Sequence, residues 1–288
     1  SGRTPDGTAR WSLHGGRQSG DNVMVRAHVT TDLGSSMKLG IVTYQIAHDW
    51  DVATIIERCA ATGFQGVELR TTHAHGVEVE LTAAERVDMR TRFADGGVEI
   101  AGLGSAFDYH SADPDELRRH IDGTNEYVKL AHDVGSPGVK VRPNGLPDGV
   151  PAERTLDQIG KSLSECGDFA ANHGVEIRVE VHGRDTQKPE NMRAIMDACD
   201  SSNVRVCWNS NPTDVKDGSI TESLGLLGDD IGLVHITELS NEAYPYRDLF
   251  RYLKQSGYEG FCLAEIPASE EPQRLMRYYR ALFNALQP

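Results

Sequence analysis

Read by hydropathy, the chain alternates between two periods. Short runs with a two-residue alternation are followed by longer segments whose apolar residues recur every three or four positions, the pattern of strand followed by helix. The clearest run is VEIRVEVHG, residues 175–183, with Val175, Ile177, Val179 and Val181 on one face and Glu176, Arg178, Glu180 and His182 on the other. Strands are expected over residues 38–43, 66–70, 98–103, 138–142, 175–182, 204–208, 231–236 and 261–266. Helices are expected over 51–62, 82–94, 113–134, 151–173, 189–198, 220–227, 246–256 and 271–286. Thr82 with Glu85 makes a capping-box pattern, and Gly63, Gly97, Gly135 and Gly174 each follow a helix-like segment. Eight strand–helix units in alternation predict an α/β fold, a (β/α)8 TIM barrel, as a single domain over residues 37–288.

The strand faces decide between a barrel and an open, doubly wound sheet. Glu68 and Arg70 share a face, as do Lys140 and Arg142, and as do Arg178, Glu180 and His182. The same holds for Arg205, Cys207 and Asn209, for His235 and Thr237, and for Phe261, Leu263 and Glu265. The opposite faces carry mainly Val, Ile, Leu and Ala. In a sheet covered on both sides these charges would be buried without partners, at several kcal/mol each. In a barrel they point into the lumen near its C-terminal mouth, where such barrels keep their chemistry.

Residues 1–36 stand apart. They lack an apolar periodicity and the apolar run of a secretion signal, and Met37 directly precedes a strand-like run, so they read as a flexible N-terminal extension. The net charge of −14 argues against nucleic acid and anionic membrane as partners, since both reward a basic surface. No apolar run approaches the ~20 residues of a membrane span. The five cysteines, Cys59, Cys166, Cys199, Cys207 and Cys262, are scattered without a C-x-x-C pair, which reads as reduced thiols in a cytoplasmic protein.

Glu180, Asn209, His235 and Glu265 end four successive strands on the lumen side. Two carboxylates, an imidazole and an amide oxygen make an N/O ligand set suited to Mn, Mg, Co or Zn. With GFQGVELR at the second strand, EVHG at the fifth, LVHITEL at the seventh and YRDLFRYLKQSGYEGFCLAEI through the eighth, the chain resembles the xylose isomerase-like TIM barrel family of the sugar phosphate isomerase/epimerase superfamily. The resemblance covers about residues 38–286.

The resemblance implies one divalent metal ion held by Glu180, Asn209, His235 and Glu265. Asn209 stands where the family usually has Asp, and the His that commonly follows is replaced within Ser210-Asn211-Pro212. Two formal negative charges in place of three predict weaker metal binding, and Asp214 is a candidate to supply the missing one. The implied activity is that of a sugar isomerase or epimerase, moving a proton beside the carbonyl of a ketose or related polyol through an enediolate. Glu180 and Glu265 would exchange the proton as base and acid. His182, Lys140, Arg142, Trp208 and Asn211 would orient hydroxyls, Tyr44 and Glu68 would close the pocket, and His110 would roof it or merely begin a loop. The partner is a small-molecule carbohydrate, and the family's tendency is to a homodimer or homotetramer.

Other readings stay open. A keto-inositol dehydratase or keto-glycoside lyase or hydrolase shares the first proton abstraction, and a catalytically inactive sugar-binding barrel shares the pocket. A related endonuclease acting on abasic DNA is disfavoured by the acidic chain. Glu180 with His182 can be a structural pair, Lys140 and Arg142 can neutralise Glu68 or Glu180, and Trp208 can be packing. His73 and His75, an H-x-H in a polar loop, read as solvated. No P-loop or G-x-G-x-x-G appears; the basic residues of GVKVRPNG can grip a phosphate, and a free sugar fits equally.

Overall fold

The computed structural model describes residues 37–288; the expected extension, residues 1–36, lies outside the described residues. Eight parallel strands close in chain order into a barrel. They are β1 (Lys38–Val42), β2 (Gly66–Arg70), β3 (Glu99–Asp108), β4 (Gly138–Arg142), β5 (Glu176–Glu180), β6 (Val204–Asn209), β7 (Ile231–Ile236) and β8 (Phe261–Ala264). The helices that follow them are α1 (Val52–Thr62), α2 (Ala83–Gly96), α3 (Pro114–Val134), α4 (Ala152–Ala171), α5 (Pro189–Asp197), α6 (Thr221–Leu227), α7 (Tyr246–Gln255) and α8 (Pro272–Leu286). The expected elements agree with these to within a few residues, except that β3 runs on to Asp108.

Local chemistry explains the helix ends. Asp51 caps α1 by accepting from Thr54 N, and Thr82 and Glu85 form the reciprocal capping box of α2. Gly63, Gly97 and Gly135 close the first three helices in the left-handed region, which costs a glycine little.

The alternation within each strand builds two apolar regions. One set of faces, including Ile41, Val67, Val139, Ile177, Val206 and Val234, packs outward against the helices in the main core. The other set meets in the lumen, where Val42, Ala101, Cys207, Leu233, Phe261 and Leu263 fill the lower barrel. Arg178 enters that lumen beside them. It donates from Nη1 to the Ala101 carbonyl (2.7 Å) and from Nε to Glu176 (3.1 Å), in space that a Cβ on Gly138 would occupy. The filled lower lumen is a floor, and the polar strand ends lie above it at the C-terminal mouth.

Register fixes which of those ends meet. Asn209 pairs with His235, and His235 with Leu263, so the next lumen-facing residue of the eighth strand, Glu265, stands above. The strand ladder stops at Ala264, but Glu265 N still donates to the Ile236 carbonyl (2.9 Å), which holds the carboxylate at the rim.

Candidate active site

A cleft of about 510 Å³ opens at the C-terminal mouth of the barrel. Its inner wall carries Glu180 and Lys140, its rim Glu265, Arg142, His182 and Tyr44. Beneath it lies a charged cluster whose central members, Glu68, Lys140, Glu180 and His235, are each at most 3 % exposed. Stripping such groups of water costs several kcal/mol apiece unless each finds a partner.

They do find partners. Lys140 Nζ donates to Glu180 Oε2 at 2.7 Å. His235 Nε2 meets Glu68 Oε2 at 3.2 Å. Asn209 Nδ2 donates to Glu180 Oε1 at 3.3 Å. Burial alone would raise the Glu180 carboxyl, but the Lys140 ammonium and His235 outweigh it and hold it well below the usual carboxylate range. Burial likewise works against ionised Glu68, and His235 brings it to a net lowering. Lys140 is raised despite burial by Glu180 and Glu68. Glu265 moves the other way: burial raises it, and His235 only partly offsets this.

Two polar atoms of the cluster are left over, Glu68 Oε1 and a nitrogen of His235. His235 Nδ1 is buried and has no hydrogen-bond partner. It faces Glu180 Oε1 at 3.6 Å and Glu265 Oε2 at 3.9 Å. These three residues each offer one ligand atom, all within 4.8 Å of one another. The carboxylate of Glu68 behind Nε2 orients the ring so that Nδ1 points into the gap, the usual support for a metal-bound histidine. Burial disfavours a charged His235, yet the groups around it, Cys207 and Glu68 foremost, raise its proton affinity well above the ordinary value. The gap therefore favours positive charge, proton or metal ion, and the donor set fits a divalent cation.

Asn209 reaches the cluster as the strand alternation implies, with its Nδ2 donating to Glu180 Oε1. Several expectations are corrected by this arrangement. Asp214 does not supply a missing charge. It is buried in the loop after β6, where its Oδ2 accepts from Asn211 N and Tyr244 OH, both at 2.9 Å. Burial pushes its carboxyl up to about 7. Glu68 does not close the pocket; it lies below the cleft, behind His235. Trp208 points to the helices, fully buried, with Nε1 donating to Tyr244 OH at 2.9 Å, so it is packing and no sugar platform. His110 stands away from the cleft against Asp108 Oδ1 (3.1 Å) at the end of β3. No hydrogen bond joins Glu180 to His182; the His182 Nδ1 is buried and unpartnered. Burial holds His182 below its ordinary value, and Lys140, Arg142 and Arg70 add to this against the pull of Glu180. His75, read as solvated, is buried, accepting from Val77 N at Nδ1 and meeting the Arg70 carbonyl at Nε2; His73 Nδ1 meets Thr43 Oγ1.

Tyr44, Lys140, Arg142, His182 and Asn211 do line the cleft, and Asn211 is fixed there by donating from Nδ2 to the Val181 carbonyl at 2.6 Å. Six further lining residues went unassigned: Arg70, Gln45, Ser210, Pro212, Asn241 and Thr237. Arg70 and Thr237 sit on lumen faces, and the two-residue period contained that signal. Gln45 and Asn241 come from loops, where no periodicity exists to read.

The closed parallel barrel with a carboxylate–histidine–carboxylate cluster at its C-terminal mouth defines a class of α/β-barrel proteins with a polar strand-end site. The description "Xylose isomerase-like TIM barrel" matches residues 56–284, and the chain belongs to that family. No curated protein gives a significant sequence match. Among solved structures, the chain is similar to the apo form of the 3-keto-D-glucoside 4-epimerase YcjR from E. coli, with a TM-score of 0.72 and 15 % identity over 87 % of this chain and 100 % of that one. It is similar to D-psicose 3-epimerase from Clostridium cellulolyticum H10, solved with D-tagatose, with a TM-score of 0.72 and 15 % identity over 88 % and 100 %. It is also similar to the IolI protein with a bound zinc atom, with a TM-score of 0.73 and 17 % identity over 87 % and 98 %. At these identities the likeness is one of fold. Among the described residues no helix is long and apolar enough to cross a membrane.

Proposed function

We propose that this barrel is a metal-assisted sugar isomerase or epimerase that moves a proton on the carbon beside a ketone. The observation that carries the reading is the unpartnered His235 Nδ1, flanked by Glu180 and Glu265 at the base of a polar cleft. Glu180, His235 and Glu265 are the residues that would hold the metal ion. When bound, such an ion supplies electrophilic polarisation of a carbonyl and its neighbouring hydroxyl oxygen.

The chain's own residues do the rest. Glu180 and Glu265 come from β5 and from the end of β8, two directions from which a carboxylate can reach a sugar carbon. For an epimerase one removes the proton and the other returns one to the opposite face of the same carbon; for an isomerase one of them removes it and returns it on the same face of the neighbouring carbon. Lys140 keeps Glu180 ionised. Asn211 and Thr237 stand at the cleft wall as hydroxyl partners. The solved relatives named above include epimerases of a ketose and of a 3-keto-glucoside, which supports a keto-sugar as the substrate class.

The test is exchange of carbon-bound hydrogen. Ketoses and 3-keto-glucosides incubated with the enzyme and Mn²⁺ in D₂O should gain deuterium beside the carbonyl, read by NMR, even where no net conversion occurs. Glu180→Gln and Glu265→Gln should each slow this by about 10²–10⁴-fold. Binding of these sugars without any exchange would sink the enzymatic reading and leave a sugar-binding barrel.

A further inference from the structure

Lys140 stands between two buried carboxylates and, among the described residues, bonds only one of them. Its ammonium donates to Glu180 Oε2 at 2.7 Å, and Asn209 Nδ2 donates to Glu180 Oε1 at 3.3 Å. Both oxygens of Glu180 are therefore engaged by nitrogen donors of the chain itself. One of them, Oε1, is the oxygen that faces the open His235 Nδ1 at 3.6 Å. An ion held by Glu180, His235 and Glu265 has to share the Glu180 carboxylate with an ammonium already seated on it. Lys140 and Glu180 are both buried, so water does little to screen one positive charge from the other. The charge count around a hard dication is a main lever on its affinity, and here a lysine subtracts from that count.

The second carboxylate has room for the ammonium. Glu68 Oε1 is buried without a hydrogen-bond partner, a condition that costs free energy wherever it persists. Glu68 stands on β2 and Lys140 on β4, and β3 runs between them. At the height of Lys140, β3 presents a glycine: Gly104 is the register partner of Lys140, and a Cβ there would lie 2.7 Å from Glu68 Oε1. At that position no side chain of β3 separates the lysine from the oxygen. Lys140 and Glu68 each favour the other's charged form even without a bond between them. A lysine carries its charge on a flexible four-carbon stem, so the ammonium can swing from one carboxylate to the other while its backbone stays in the sheet.

We infer that Lys140 is the resident cation of this site, and that a divalent ion entering at Glu180, His235 and Glu265 displaces its ammonium from Glu180 to Glu68 Oε1. The inference rests on the metal-assisted reading for the ion and adds the residue that opposes it. Bonded to Glu180, the ammonium offsets one buried charge; moved to Glu68, it satisfies the oxygen left over. Affinity for the ion is then lower than its three ligands alone would give.

The test is titration of the full chain, stripped with EDTA, with Mn²⁺, read by calorimetry and by the EPR signal of the free ion. Lys140→Met should bind Mn²⁺ about tenfold or more tighter than wild type, and Lys140→Arg, which keeps the charge, should stay near wild type. Binding by Lys140→Met alone is the same result in its strongest form. Glu68→Gln should weaken binding in the wild type, and by about threefold less in the Lys140→Met background, where no ammonium needs the second seat. Should Lys140→Met fold poorly without the ion, the wild type itself decides: the ¹⁵N resonance of the Lys140 ammonium should move on saturation with Zn²⁺. Equal or weaker Mn²⁺ binding by Lys140→Met, or an ammonium resonance that stays in place with Zn²⁺ bound, overturns the inference and leaves the metal-assisted reading standing. An equal cost of Glu68→Gln in both backgrounds overturns Glu68 as the second seat. No Mn²⁺ binding by either protein removes the ion and the inference together. Deuterium exchange on the same samples reports on the isomerase reading separately. Tighter Mn²⁺ binding by Lys140→Met, without exchange into any keto-sugar by the wild type, keeps the inference and removes the isomerase.

Discussion

Lys140 and Glu180 leave water together, and the 2.7 Å contact between them is what makes the burial of either tolerable. Both were legible as lumen-facing from the alternation of their strands. Which partner each would take was not, because Glu68, Glu180 and Lys140 lie on three strands whose relative heights depend on register. Trp208 is a case where the alternation already held the answer: it sits between Cys207 and Asn209, both lumen-facing, so its ring must face the helices. Asp214 offered no such guide. It lies after the strand, and its orientation is set by Tyr244, thirty positions further along. Its burial has a consequence for stability. With a folded-state value of about 7 against an ordinary 3.8, Asp214 stays protonated in the folded protein while the unfolded chain ionises. The unfolded state is therefore favoured progressively as pH rises from about 4 to about 7, by up to about 4 kcal/mol, and no further above that. In urea unfolding at pH 4 and pH 7.5, Asp214→Asn should be close to wild type at the lower pH and more stable at the higher one. An unchanged difference between the two pH values would show that Asp214 ionises normally.

At the scale of elements, β3 departs furthest from expectation, and it does so where the site needs room. The sequence AGLGS reads as a weak strand, since glycine packs nothing. In the barrel, Gly102 and Gly104 face Glu68, and a Cβ on Gly104 would lie 2.7 Å from Glu68 Oε1. The strand gives up side chains so that a carboxylate from β2 can lie flat behind His235. Gly104→Ala should accordingly push Glu68 off the histidine and cost about 1–3 kcal/mol of stability. Its thermal unfolding and the NMR shift of the His235 ring are the readouts; a variant with wild-type values in both would mean that Glu68 has slack. The helix ends show the opposite behaviour. Thr82, Glu85, Asp51 and the closing glycines act on neighbours within four residues, so the sequence alone placed them well.

Across the whole molecule, eight repeats of strand and helix were countable without coordinates, and the charged lumen faces chose closure over an open sheet. The cation site proposed above would be a property of the assembled barrel, since Glu180, His235 and Glu265 come from β5, from β7 and from the end of β8. Mn²⁺ or Zn²⁺ at about a hundred times its dissociation constant should stabilise the folded chain by about 2.7 kcal/mol, read as a rise in Tm. His235→Ala should lose that rise and the bound metal measured by elemental mass spectrometry; an equal rise in both proteins would place the ion elsewhere.

The loops after β4 and β5 are stitched to each other. Gly145 and Arg184 form a bridge, Arg184 reaches the Leu146 carbonyl at 2.7 Å, and the close approach of Gly183 to Asn144 leaves no room for a Cβ. An insertion in either loop would have to be accommodated by both. The loop carrying Tyr44 and Gln45 is likewise tied to the loop after β2 by Ala74 N donating to the His48 carbonyl (2.9 Å), and the loop carrying Asn241 to the loop after β6 by Tyr244 OH donating to Asp214 Oδ2 (2.9 Å). The rim is thus joined in neighbouring pairs, and lineages or engineers seeking a bulkier ligand would have to move two loops at a time.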